Sequence, residues 1–246
     1  MFRQNVSVSQ EVTDLIIADA ALTIAFAILL GGGIGAQKPN CTNISGIFAA
    51  LCGNAVLFFL PIAFVAVTLS FVLHEYMHKI VAQRYGAIAA FRRSDMGIVI
   101  SLVTSLFGFL LALPGATMIY TNSFTREQDG YVSLAGPLTN LVVFSVFFII
   151  LIALPAGVTS GYIGAIVTTT LFIALWLAFV NMLPIYPLDG SKVLRWNKLV
   201  YAVVLITVIG LLLFVVGPSI SLLLSIGFVL VLSLILSFSF RSILFR

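Results

Sequence analysis

Six stretches of this sequence, roughly 15–36, 54–80, 131–154, 161–183, 199–217 and 219–240, are each apolar over about the 20 residues that a helix needs to cross a bilayer. Composition supports reading them as spans. Charged residues make up 8% and hydrophobic residues 61% of the chain, against roughly 25% and 45–50% in a soluble domain. So few charges cannot cover the surface of a soluble protein of this size. A soluble enzyme, a disordered chain and a nucleic-acid binder are thereby excluded. The expected fold is an all-α polytopic membrane protein with about six transmembrane helices, forming a single membrane domain over 1–246.

A seventh apolar run, 98–113, is short and lies between polar turns. The basic residues decide how to treat it. Lys79, Arg84, Arg92 and Arg93 follow the second span, and Lys192, Arg195 and Lys198 follow the span that ends near 183. Both clusters belong on the cytoplasmic side, so an even number of crossings separates them. Spans 131–154 and 161–183 supply two, and 98–113 is then expected to dip in and return or to pack on the protein. Both termini fall inside, and every Lys and Arg except Lys38 lies on the cytoplasmic side. The net charge of +4 thus reflects orientation rather than a nucleic-acid partner. Glu11, Asp14 and Asp19 precede or enter the first apolar run, where a cleavable signal would need a basic start.

The loop 37–53 is then external and holds both cysteines, Cys41 and Cys52. An external loop permits a disulfide, and two cysteines allow a single pairing; two unpaired thiols is the other reading. The same loop carries Asn40-Cys41-Thr42 and Asn43-Ile44-Ser45, both acceptor patterns for N-glycosylation and both common by chance.

The chemistry concentrates at His74-Glu75-Tyr76-Met77-His78. Residues four apart share a helix face, so His74 and His78 can hold one metal, and Glu75 beside them can act on water at that metal. The chain has only these two histidines, and ionisable groups at membrane depth are costly and usually functional. The alternative is a pair of polar residues capping a helix at the water interface. A zinc site usually takes a third protein ligand. With no other histidine, that ligand must be a carboxylate or a cysteine. Asp189 is the best candidate, because its span ends on the same side as His78. Asp19, in the first span, is the reserve. Pro184 and Pro187 break regular helix just before Asp189, which suits a hydrated site at membrane depth and equally suits an ordinary span terminus.

These residues resemble the site-2 protease family of intramembrane zinc metalloproteases, most closely its compact archaeal and bacterial members. The resemblance rests on His74-Glu75-Tyr76-Met77-His78, on Ala135-Gly136-Pro137-Leu138-Thr139-Asn140, and on Asn181 through Gly190. The family carries HExxH on one span, Gly-Pro-x-x-Asn on the next core span and Asn-x-x-Pro…Leu-Asp-Gly on the third. The match covers about 55–195, the expected catalytic core; the spans 15–36, 199–217 and 219–240 are peripheral. The resemblance implies that His74, His78 and Asp189 bind one zinc ion and that Glu75 is general base and proton shuttle. It implies that Asn181 holds substrate or the developing oxyanion and that Asn140 is structural or contacts substrate. Pro184 and Pro187 are expected at the substrate as well. Met77 departs from the pattern, since many members have glycine there, and implies different helix packing. No room remains for the PDZ or CBS domains of some relatives.

The function implied is hydrolysis of peptide bonds in single-span membrane protein substrates, within or near the bilayer. The expected setting is the cell membrane, with the active site toward the cytoplasm and the lipid bilayer as a partner. A helical substrate hides its peptide bonds and must unwind first. Residues 87–101 and 114–121 suit short strands whose edge could receive an extended substrate, with simple loop structure as the other reading. A transporter would also use broken spans and a buried acid, but its repeated halves are absent from the sequence. A scaffold that has lost catalysis would have no need of Glu75.

Overall fold

The computed structural model describes residues 7–32, 54–112, 114–120 and 124–217, together with residue 227. The expectations for Cys41 and Cys52, for the glycosylation tripeptides and for the span 219–240 lie outside the described residues. Five described helices are long and apolar enough to cross a membrane. They are α1 (Val8–Leu30), α2 (Ala55–Arg84), α4 (Arg126–Ala153), α6 (Tyr162–Asn181) and α8 (Lys198–Val216). Shorter elements join them: β1 (Ile88–Arg93), α3 (Asp95–Leu106), β2 (Gly115–Tyr120), α5 (Ala156–Thr159) and α7 (Asp189–Trp196). The protein is an all-α polytopic membrane protein carrying one two-stranded ribbon.

Local chemistry sets the boundaries. Asn54 starts α2 by accepting hydrogen bonds from the backbone N–H groups of Val56 and Leu57. Thr125 and Gln128 form a capping box at the head of α4. Asn197 ends α7 and caps α8, its Oδ1 accepting from Leu199 and Val200. Helix α2 is not uniform: Thr68–Val72 forms a π-helical turn just before His74, the kind of insertion often found at functional sites.

Apolar helices gain no hydrophobic drive from lipid, so close contact between small residues holds them. Ala18 and Ala27 of α1 meet Ala63 and Ala66 of α2 in one core, which also takes Ile173 and Leu177 from α6. A second core joins Leu134, Val143 and Phe144 of α4 to Leu171, Leu175 and Phe179 of α6 and to Val204 and Val208 of α8. Helix α6 therefore contributes to both cores, between the α1–α2 pair and the α4–α8 side.

The described part of the segment 98–113, residues 98–112, returns to its starting side. β1 and β2 pair antiparallel, Ile88 opposite Tyr120 through Arg93 opposite Gly115, and the Ser94 N–H donates to Pro114 O. Helix α3 has 12 residues, about 18 Å of rise, too short for a hydrocarbon core of about 30 Å. One expectation needs correction: 95–101 is helical rather than strand. Ser94 accepts from the Gly97 N–H and starts α3 there. A second correction concerns Glu11 and Asp14, expected before the first span. Both lie inside α1 and are buried, Glu11 against Lys79 at 2.7 Å and Asp14 within reach of Arg92 and Arg93.

Candidate metal centre

Two elements bring the ligand candidates together. His74 and His78 lie one turn apart on α2, and Asp189 opens α7. The two Nε2 atoms are 3.0 Å apart, and Asp189 Oδ2 lies 3.3 Å from the first and 3.1 Å from the second. All three residues are buried. A tetrahedral zinc with bonds of 2.0–2.1 Å would set its ligands about 3.3 Å apart. The triangle has that size before any cation is placed in it.

The hydrogen bonds behind the rings show what fits the triangle. His78 Nδ1 donates to Val132 O at 2.7 Å, which leaves Nε2 with a bare lone pair. His74 Nδ1 lies 3.2 Å from the Asn140 side-chain amide, whose Oδ1 is buried without a partner. A half-turn of that amide places Oδ1 on the His74 Nδ1–H and satisfies both groups. Two imidazole lone pairs and a carboxylate oxygen then face one point, an arrangement that calls for a cation.

Two glycines make the approach possible. A Cβ on Gly136 of α4 would stand 2.5 Å from His74 Cε1, His74 Nε2 and His78 Nε2. The missing side chain keeps open the space beside the ligand atoms. A Cβ on Gly190 would run into the backbone of Met182 and Leu183, so only glycine lets the first turn of α7 abut the end of α6 and deliver Asp189.

Glu75 borders the same cavity of about 150 Å³. It offers a carboxylate oxygen that, with the His74 and His78 ring nitrogens, forms a group within 4.8 Å. Its Oε2 accepts from the Thr117 backbone N–H and from Thr117 Oγ1, both at 2.8 Å. The Thr117 N–H therefore points away from β1, along the outer edge of β2, and alternation turns the backbone groups of Gly115 and Ile119 the same way.

The remaining site candidates separate. Asn181 lines the cavity, its Nδ2 donating to Leu177 O at 3.0 Å. Pro187 lines it after a cis Tyr186–Pro187 bond, and Pro184 does not line it. Asn140, expected to be structural or to contact substrate, is fully buried against His74 and does not line the cavity. Asp19, the reserve ligand, accepts from Thr68 Oγ1 at 2.8 Å rather than meeting a histidine. Sequence reasoning passed over Thr117 and Val132. Val132 acts through a main-chain carbonyl and Thr117 through strand register, and neither leaves a residue-type signal.

Fold and site together define a multi-pass membrane protein with a metalloprotease-type metal centre. "Putative zinc metalloprotease MJ0611" of Methanocaldococcus jannaschii is 41% identical over 154 residues, 62% of this chain and 79% of that protein. "Putative zinc metalloprotease YwhC" of Bacillus subtilis is 24% identical over 153 residues, 55% of this chain and 68% of that protein. "Zinc metalloprotease MJ0392" of Methanocaldococcus jannaschii is 26% identical over 137 residues, 56% of this chain and 34% of that protein. No protein-family model matches the chain, and no solved structure matches it. The chain belongs to the family of these zinc metalloproteases, and the two histidines and the carboxylate fit the zinc that the family name implies.

Proposed function

We propose that this protein is an intramembrane endopeptidase that hydrolyses peptide bonds of single-span membrane proteins within or near the bilayer. The observation that carries the reading is the 3.0–3.3 Å triangle of His74, His78 and Asp189, with the Glu75 carboxylate beside it and bilayer-length helices around it. His74, His78 and Asp189 hold the metal. When bound, zinc supplies Lewis acidity and makes a water easier to deprotonate at neutral pH.

Thr117 fixes one oxygen of Glu75 and leaves the other to take the proton of the attacking water. Glu75 then returns a proton to the leaving amine. The Asn181 side-chain amide, at the end of α6, releases Leu177 O and donates to the carbonyl oxygen under attack. Asn140 and Val132 keep the two imidazoles in the ligating orientation. An unwound substrate segment lies along the outer edge of β2 and exposes its peptide bonds to Glu75.

Among the described residues, Lys79, Arg84, Arg92, Arg93, Arg126, Lys192, Arg195 and Lys198 all sit at the end of the helices that carries the ribbon and the metal centre. This supports a cytoplasm-facing site in the cell membrane. The test is co-expression with single-span candidates, comparing wild type with Glu75→Gln. Cleavage within or beside the span that depends on Glu75 is expected. Cleavage that persists at the wild-type rate in Glu75→Gln contradicts the mechanism.

A further inference from the structure

A second cavity, of about 770 Å³, opens beside the metal pocket. Ala116, Thr117, Ile119, Pro187 and Lys192 border both, so the two adjoin along β2. β2 forms one wall, and Tyr186, Pro187 and α7 contribute the lining around it. Arg126 and Asp129, in the first turn of α4, line it as well. Its charge is one-sided. Asp129 is the only acid in the lining, and it is taken up by Arg195 at 3.1 Å. Lys192 and Arg126 have no carboxylate partner among the described residues.

Lys192 stands at the junction. It follows Asp189 by three residues on α7 and so shares its face. It is half-buried, and a charge withdrawn from bulk water is screened less than one on an open surface. The two acids that share the metal pocket with it are already engaged, Asp189 beside the two imidazoles and Glu75 by Thr117. The groove therefore presents two uncompensated cations along a strand edge that leads away from the metal.

We propose that this groove selects an acidic side chain in the extended segment of the substrate, read by Lys192 close to the scissile bond and by Arg126 farther along. The proposal rests on the proteolytic reading above and adds to it the chemistry of the preferred substrate. Charge complementarity of this kind sets partner choice more than overall affinity.

The test uses the full-length, zinc-loaded Glu75→Gln protein in nanodiscs of neutral lipid. Its affinity is measured for fluorescent extended peptides carrying Glu, Gln or Lys at each position flanking the cut. Glu is expected to bind about five- to tenfold more tightly than Lys at one or two positions. Lys192→Gln is expected to abolish that preference, and Lys192→Glu to invert it. Arg126→Glu, at an exposed position, is expected to weaken it at a more distant position, and it carries the test if the Lys192 variants lose zinc. Equal affinity for the three peptides overturns the proposal, as does an affinity set by anionic lipid and not by peptide charge. A parallel cleavage assay with wild type separates the two levels. Cleavage without charge preference defeats the groove alone, whereas charge-ordered binding without any cleavage defeats the proteolytic reading and leaves the groove.

Discussion

Glu11 and Glu75 meet the two-stranded ribbon from opposite sides. Glu11 of α1 accepts from the Phe91 N–H on the outer edge of β1, and Glu75 of α2 accepts from the Thr117 N–H on the outer edge of β2. Phe91 and Thr117 face each other in the ladder, so one residue pair sends its two free donors to two carboxylates. What differs is the company each carboxylate keeps. Glu11 is closed off by Lys79, whose Nζ lies 2.7 Å from both of its oxygens. Glu75 has no cation on it among the described residues, and it lies instead beside two imidazoles in an open cavity. The same strand-edge contact thus serves as a structural tie on one side and, in the proposed mechanism, holds the base on the other. The neighbouring charge, not the hydrogen bond, makes the difference.

The sharpest way to break this contrast is to neutralise Glu75. Glu75→Gln is expected to lower the cleavage rate by about a hundred- to ten-thousandfold, the usual worth of a positioned general base, while metal analysis still finds zinc. Next comes Asn140→Leu, which removes the partner of His74 Nδ1. Competition with a chelator is expected to show zinc affinity about ten- to a hundredfold weaker, the usual cost of losing such an outer partner. An unchanged affinity would mean that the Asn140 contact at 3.2 Å does not orient the ring.

Thr117→Val keeps the strand N–H and removes one hydrogen bond to the Glu75 carboxylate. It is expected to lower kcat about tenfold at nearly constant KM, with activity restored by Thr117→Ser. The smallest effect on rate is expected from the other glutamate. Glu11→Gln breaks a largely buried ion pair and is expected to cost about 2 kcal/mol in thermal unfolding, with cleavage by the surviving fold close to wild type. A loss of activity as large as that of Glu75→Gln would erase the distinction between the two sides.

The helices were legible in the sequence because lipid imposes length and apolarity on every span. The proposed ligand set was legible because two histidines four apart fix a helix face, and because few acids compete for the third position. The return of 98–113 followed from counting charges, and the ribbon now gives it a physical cause. Legibility ended where the actors were backbone groups. The Val132 carbonyl behind His78, the Thr117 N–H on Glu75 and the space left by Gly136 depend on how α2, α4 and β2 are placed relative to one another. No local pattern encodes those placements. Glu11 and Asp14 were misplaced for a related reason. Their basic partners, Lys79, Arg92 and Arg93, lie far along the chain, so the pairing that lets two acids enter a helix is invisible locally.

The measurement that bears most directly on the whole account is the zinc content and coordination of the purified protein, taken by metal analysis and X-ray absorption on wild type, His74→Ala and Asp189→Asn. One zinc per chain bound by two imidazoles and a carboxylate oxygen, lost or strongly depleted in both variants, is the expected result. Undiminished zinc in either variant, or a coordination shell without imidazole, would contradict it.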